Sequence, residues 1–270
     1  MEINDTADES YLEVNRKLWN ARTEHHLQSE FYDNAAFMEG KNTLNDIELN
    51  LLGDVQGKHI IHLQCHFGQD TLSLARMGAV VTGMDLSEQA VETARLQAQK
   101  LALPAKFIAA NVYDVDEQLT GQFDIVFSSY GVIGWLPDMH RWAAVVSRLL
   151  KPGGMFVFAE FHPAVWMFDN DFEKITYSYF NKEAIVEQES GTYADRDAPL
   201  QLHSVTWNHS LGEVLQSLLD AGLQLRVFRE YDYSPYNCLK DMTEGEPGRF
   251  YVRGAEGKLP MLYALQMVKK

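Results

Sequence analysis

Residues 62–70 read His-Leu-Gln-Cys-His-Phe-Gly-Gln-Asp and concentrate donor groups at one point of the chain. Two histidines and a thiol can bind a metal. A cysteine beside a histidine can form a nucleophile with its base. A turn ending in glycine can hold a nucleotide-like ligand. The run 59–65 is apolar and strand-like, so His62 and Cys65 point to opposite faces, and adjacent Cys65 and His66 seldom aim at one atom. No second cluster supplies a fourth metal ligand. No metal site is expected, and Cys65 reads as a small buried side chain.

Two further residues carry chemistry by position. Asp85 ends an apolar run about twenty residues beyond the loop, the spacing at which an acid accepts hydrogen bonds from ribose hydroxyls. The same residue type could instead help to cap the helix that follows. His162 ends another apolar run and is the candidate general base, taking a proton from a substrate hydroxyl, amine or thiol. Its alternative role is to orient the loop before Pro163. Tyr130 and Trp135 are candidate substrate-pocket residues, with Tyr11 reaching in from the N-terminal part.

These residues need an α/β scaffold, and the patterning predicts one. Strand-like runs at 59–65, 79–85, 105–111, 123–129 and 155–161 alternate with amphipathic stretches at 71–78, 87–101 and after Asp138. Such alternation implies a mostly parallel sheet with helices on both faces, which binds ligands beyond the carboxyl ends of its strands. Ser87 and Asp138 are the expected N-caps, and Lys151–Gly154 is the expected stop of the last of these helices. Residues 1–50 read as a helical cap, 58–161 as the core, and 163–207 as an aromatic, acidic insertion of β-hairpins over the sheet's edge. Residues 173–181 are expected to form one such hairpin. Residues 208–270 supply a helix opened by a Ser210–Glu213 capping box and two last strands, 223–233 and 261–269, completing one domain over 1–270.

The chain has 270 residues and a net charge of −15, which argues against a nucleic-acid partner. It has two cysteines in no repeated spacing, an acidic polar start, and no apolar run of the roughly 20 residues a membrane helix needs. A cytoplasmic protein without a membrane segment is expected. Oligomeric state is not legible.

The core resembles the class I S-adenosylmethionine-dependent methyltransferases. Five segments carry the likeness in order: His62–Gly68, "GMDLS" (83–87), "NVYDV" (111–115), "FDIVFSSYGVIGWL" (123–136) and "RLLKPGGMFVFAEF" (148–161). A bacterial subgroup shares "HLQCHFG" and "WNHSLGE" (207–213). The resemblance implies a seven-stranded Rossmann-like sheet and S-adenosylmethionine as cofactor. It also implies methyl transfer to the O, N or S atom of a small molecule, mainly by positioning. It assigns cofactor contacts to the loop Gln64, Cys65, His66 and Gly68. Asp85 would take the ribose, Leu86, Asn111 and Val112 the adenine, and the Ser129 region the ammonium group. The departures are that Gln64 and His66 stand where the family has glycines, and His62 where it has an acid. They keep open a non-catalytic binder of the same cofactor. A nicotinamide-dependent oxidoreductase is the other alternative, but the full GxGxxG that a pyrophosphate needs is absent.

Overall fold

A computed structural model describes residues 5–115 and 119–270. Seven strands form one sheet: β1 (His59–Leu63), β2 (Val80–Asp85), β3 (Ala105–Ala109), β4 (Phe123–Ser129), β5 (Leu150–Phe161), β8 (Leu223–Tyr231) and β11 (Leu262–Lys269). Their order is β3-β2-β1-β4-β5-β11-β8, and only β11 runs antiparallel to its neighbours. The chain leaves β1 towards β2 and β3 on one side, then returns to place β4 on the other. The topological switch point therefore lies between β1 and β4, where an open α/β sheet leaves a crevice.

Both faces are covered. Strand β1 alternates Ile60 and His62 on one face with Ile61 and Leu63 on the other, and all four are buried. Ile61, Leu63, Val126, Phe156 and Phe158 pack with α6 (Met139–Leu149) and α7 (Leu211–Asp220), whose Trp142, Val146, Leu149, Val214 and Leu218 form a continuous stripe. On the opposite face, α3 (Asp46–Leu52) and α4 (Gln69–Arg76) set Leu51, Leu52 and Leu74 against Ile60, Ile125, Phe127 and Val157. Helix α5 (Glu88–Lys100) packs Val91, Ala94 and Ala98 near Phe107 and Cys65. Ser87 and Asp138 cap α5 and α6, their side chains accepting from the Ala90 and Arg141 N–H groups at 3.0 Å each.

Helices α1 (Asp5–Gln28) and α2 (Asn34–Glu39) precede this core. Helix α1 spans two supports. On one side, the Asn20 side chain accepts from Ser87 Oγ (2.7 Å) and the Gln89 N–H (3.2 Å) at the start of α5. On the other, the buried Asn15 amide donates to the Val205 carbonyl (2.8 Å) and accepts from the Val205 N–H (3.0 Å). Asn15 thus acts as one residue of a further strand beside β7 (Gln201–Thr206). Removing it leaves two part-buried backbone groups unpaired, at up to roughly 1–3 kcal/mol each. Asn15→Ala is expected to free the Val205 amide for hydrogen exchange and loosen α1; unchanged protection of Val205 would show the contact to be dispensable.

Several elements differ from the sequence reading. Strand β5 starts at Leu150, because Lys151–Gly154 form a bulge between the Phe123↔Leu150 and Ile125↔Met155 pairings rather than a plain turn. The insertion forms one antiparallel pair, β6 (Ile185–Ser190) with β7, and it rests on α1, not over the sheet's edge. Residues 173–181 form no hairpin of their own; Ile175 makes a single bridge to Phe168. Ser210 caps α7, but the Glu213 carboxylate turns to His209 Nδ1 (3.1 Å) and Asn181, so the box is half made. A small pair, β9 (Met242–Glu244) with β10 (Phe250–Val252), was not anticipated. No helix among the described residues is long and apolar enough to cross a membrane.

Candidate cofactor and substrate site

The loops after β1 and β4 meet at the switch point. Gln64 Nε2 donates to the Val132 carbonyl (2.7 Å) and ties them together. Gln64 and His66 have φ of 56° and 50°, in the left-handed region that favours glycine. The loop therefore follows a glycine-like path without the glycines, and such strain persists where surroundings over-determine it. Here the fixing bonds are Gln64–Val132, Cys65 N–H to the Met84 carbonyl (2.9 Å) and His66 N–H to Asp85 Oδ2 (2.7 Å). Gly68 has φ +80°, and an added Cβ would come within 2.7 Å of the Phe107 ring. Its close approach is thus to β3.

Asp85 closes the second wall. Its Oδ1 accepts from the Ser87 N–H (2.9 Å), so the carboxylate spans the first loop and the start of α5, with lone pairs left for a diol. Burial pushes its pKa up to about 6 against the opposing backbone N–H bonds. Leu86 is half-buried beside it. Asn111 lies beyond β3; its Oδ1 accepts from the Tyr113 N–H (3.2 Å) and its Nδ2 donates to Asp114 (3.2 Å). Val112 and Ser129 are buried at the ends of their connections. The expected cofactor residues therefore all lie at or just beyond the carboxyl ends of β1–β4.

The N-terminal helix supplies the roof. His26 Nδ1 lies 2.9 Å from His66 Nε2, and Trp19 packs edge-on to both His66 and Trp135. Arg22 is buried between the Trp19 and Trp135 rings and pairs with Glu189 of β6. Burial holds His26, His62 and His66 neutral, with pKa values pushed down to about 2, 3 and 3. Gln64 Oε1, His66 Nδ1, His26 Nε2 and Arg22 Nε are buried without a hydrogen-bond partner. Because the two neutral imidazoles share one hydrogen bond, one of their outer nitrogens donates and the other accepts, so these four atoms offer two acceptors and two donors, which suit an amino acid's ammonium and carboxylate, and the loop and roof fit the methionine end of S-adenosylmethionine. No local pattern singles out Arg22, whose site is made only when α1 folds over the crevice.

Other candidates separate. His62 points to α4, its Nδ1 2.9 Å from Thr71 Oγ1, and Cys65 is a buried thiol whose pKa is pushed up by burial. No group of three or more metal-ligating side chains occurs among the described residues. Tyr11 packs edge-on against Trp207, and Trp135 donates to the Gly131 carbonyl (2.8 Å). His162 is committed at both nitrogens: Nδ1 accepts from the Ala164 N–H (3.1 Å), and Nε2 lies 3.0 Å from Glu230. With no free lone pair, it holds the turn after β5 instead of standing ready as a base. The segment 207–213 is likewise scaffolding: the Trp207 N–H donates to the Gly134 carbonyl (2.8 Å), and His209 Nε2 lies 2.7 Å from the Leu136 carbonyl.

Two buried acids carry no assigned role in the sequence reading, although Glu160 stands with His162 at the end of the fifth strand. Glu160 on β5 accepts from four backbone N–H groups, those of Gly131, Val132, Ile133 and Phe161. Glu48 accepts from the Asn45 N–H (2.9 Å), Asn45 Nδ2 (3.0 Å) and the Tyr130 hydroxyl (2.6 Å). An acid inside an apolar strand and an Asn-x-x-Glu box were the available signals. Burial, aided by nearby Asp70, pushes the Glu48 pKa up to about 7, against the hydrogen bonds from Tyr130 and the Asn45 N–H. A raised folded-state value means that stability is fully present below the ordinary glutamate value of 4.5 and is lost as pH rises through 7, by about 3 kcal/mol at most. Glu48→Gln is expected to flatten this slope in urea denaturation between pH 4.5 and 7.5; an unchanged slope would assign it to another group.

The sheet order and the loop at its switch point define a class I methyltransferase fold. The family described as "Methyltransferase domain" matches residues 61–158. The ubiquinone biosynthesis O-methyltransferase of Bordetella avium is 26% identical over 221 residues, covering 80% of this chain and 85% of that protein. An uncharacterized methyltransferase of Synechocystis is 31% identical over 134 residues, covering 48% of this chain and 59% of that one. Among solved structures, a putative S-adenosylmethionine-dependent methyltransferase from Listeria monocytogenes superposes with TM-score 0.61 at 20% identity, covering 82% of this chain and 94% of that one. Geranyl diphosphate C-methyltransferase from Streptomyces coelicolor gives 0.62 at 15% identity, covering 96% and 98%. The chain is a class I, S-adenosylmethionine-dependent methyltransferase.

Proposed function

We propose that this methyltransferase acts on a small-molecule O, N or S nucleophile enclosed beneath α1, in the cytoplasm. The observation that carries the reading is the crevice between the β1 and β4 loops, roofed by Trp19, Arg22 and His26. A roof packed this closely favours a compact acceptor over a polymer, and the net charge of −15 disfavours nucleic acid. The O-methyltransferase relative supports a small hydroxylated acceptor by its name alone.

When bound, S-adenosylmethionine supplies an electrophilic methyl group. The chain's residues then have three tasks: Asp85 holds the ribose, Gln64 and Arg22 hold the amino-acid end, and the aromatic roof excludes water. Such positioning can contribute roughly 7–11 kcal/mol at its upper reach. Leu86, Asn111 and Val112 line the adenine side, and Ser129 borders the ammonium. The test is release of S-adenosylhomocysteine over a panel of small phenols, amines and thiols. Flat traces throughout, with tight cofactor binding, would favour a non-catalytic binder.

A further inference from the structure

Arg22 and Glu189 are unequal partners. Arg22, on α1, is fixed: its side chain is 3% exposed and lies between the Trp19 and Trp135 rings, 5.2 and 5.9 Å from their centroids. Glu189, on β6, is 33% exposed, and its Oε2 accepts from Arg22 Nη2. Among the described residues, Glu189 is the one acid paired with Arg22. Its place follows from the strand period. Ile185, Glu187 and Glu189 are the half-buried residues of β6, while Val186, Gln188 and Ser190 are exposed. Glu189 stands opposite Leu202 of β7, the strand that packs on α1. The pair therefore joins the roof to the insertion.

Arg22 has more to offer than Glu189 uses. A guanidinium carries several N–H donors and no acceptor, and Arg22 Nε is buried without a hydrogen-bond partner. Its charge is felt at the first loop: after burial, it is the second cause that keeps His66 neutral. A fixed cation above that loop suits a carboxylate, whereas Gln64 Oε1, an acceptor, suits an ammonium. While Glu189 sits on Arg22 the pair is neutral overall, and its pull on a second carboxylate is weak. The partners differ in what it costs to separate them. Withdrawing Arg22 would take a guanidinium out from between two indole rings. Glu189 already borders water, so it can be hydrated with little rearrangement.

We propose that Glu189 is an internal competitor of the cofactor: its carboxylate holds Arg22 until the amino-acid carboxylate of S-adenosylmethionine takes its place and Glu189 turns out to solvent. This rests on the methyltransferase reading above and on Arg22 meeting the amino-acid end. It adds a residue of the insertion that sets how tightly that end is held. Glu189 is a positioning residue in this role, since it acts through Arg22. The competition weakens product as well as substrate binding, because S-adenosylhomocysteine carries the same carboxylate. By returning to Arg22, Glu189 helps the product to leave.

The experiment compares two ligands on the full chain by titration calorimetry. S-adenosylhomocysteine has the amino-acid end; 5′-methylthioadenosine keeps the adenosine and the sulfur and lacks that end. Glu189→Gln retains an acceptor for Arg22 and removes the charge. It should raise the affinity for S-adenosylhomocysteine relative to 5′-methylthioadenosine by about fivefold or more, the low end of couplings between sites. The gain should vanish in Arg22→Gln, where adding Glu189→Gln should leave the ratio unchanged. A merely structural Glu189 would instead weaken both ligands together. Circular dichroism reports folding. If Glu189→Gln does not fold, Glu189→Asp decides: it keeps the charge, falls short of Arg22 and should raise the ratio in the same direction. An unchanged or lowered ratio would overturn the competition, and so would a gain that persists in Arg22→Gln; neither result touches the methyltransferase reading. Failure of the parent to bind S-adenosylhomocysteine would overturn both.

Discussion

Asp85→Ala is expected to weaken S-adenosylhomocysteine binding by at least tenfold, measured by titration calorimetry, with the chain still folded. The carboxylate joins the two backbone segments that frame the ribose position, through His66 N–H and Ser87 N–H. Each oxygen accepts one bond and has capacity for another, so a vicinal diol can be held by one group. Hydrogen bonds to a charged partner contribute about 1.5–3 kcal/mol, and even one lost bond exceeds tenfold in affinity. The loop also loses an anchor for its left-handed His66. A pH signature separates the direct contact from loop relaxation. Burial places the Asp85 pKa at about 6, and the ionised form is the better acceptor for ribose hydroxyls. Affinity should therefore fall as pH drops through 6 in the parent and stay level in Asp85→Asn. Equal affinity in Asp85→Ala and parent would place the ribose elsewhere.

The parallel sheet was legible because strand runs and helical stripes alternate without interruption from Lys58 to Phe161, and each caps where Ser87 and Asp138 stand. Asp85 and the first loop were legible for the same reason: a strand's carboxyl end is fixed once the strand is. What escaped was long-range and polar. Asn15 makes strand-like bonds to a residue 190 positions away, and Arg22 meets Glu189 across the roof. Nothing local distinguishes these from solvated residues of a helix whose polar positions recur all round. Gln64 and His66, standing where glycines are expected, do not widen the loop. The structure instead keeps the tight path and makes Gln64 and His66 adopt it, with the side chains freed to reach Val132 and His26. His162 was a reasonable base by position, but the β8 residue Glu230, far off in sequence, occupies its outer nitrogen.

The strongest effect on stability is expected at Glu160. A single side chain satisfies the N–H groups of Gly131, Val132 and Ile133, which have turned away from the sheet, and of Phe161 in its own strand. Burial raises the carboxyl's pKa, and the four donors oppose that shift, so the group remains an acceptor because the loop surrounds it with N–H bonds. Glu160→Gln keeps the shape but replaces one oxygen with a donor facing other donors. Removing one partner of a buried charged network costs about 3–5 kcal/mol, and the midpoint of chemical unfolding should fall accordingly. A loss below about 1 kcal/mol would mean that the loop is held by its other contacts. The damage should also reach the cofactor, because Val132 both donates to Glu160 and accepts from Gln64. Gln64→Ala cuts that link from the other side. If Glu160 acts on cofactor affinity by holding Val132 in place, its substitution should weaken S-adenosylhomocysteine binding less in Gln64→Ala than in the parent. Strict additivity in this double-mutant cycle would show that the two loops are positioned independently.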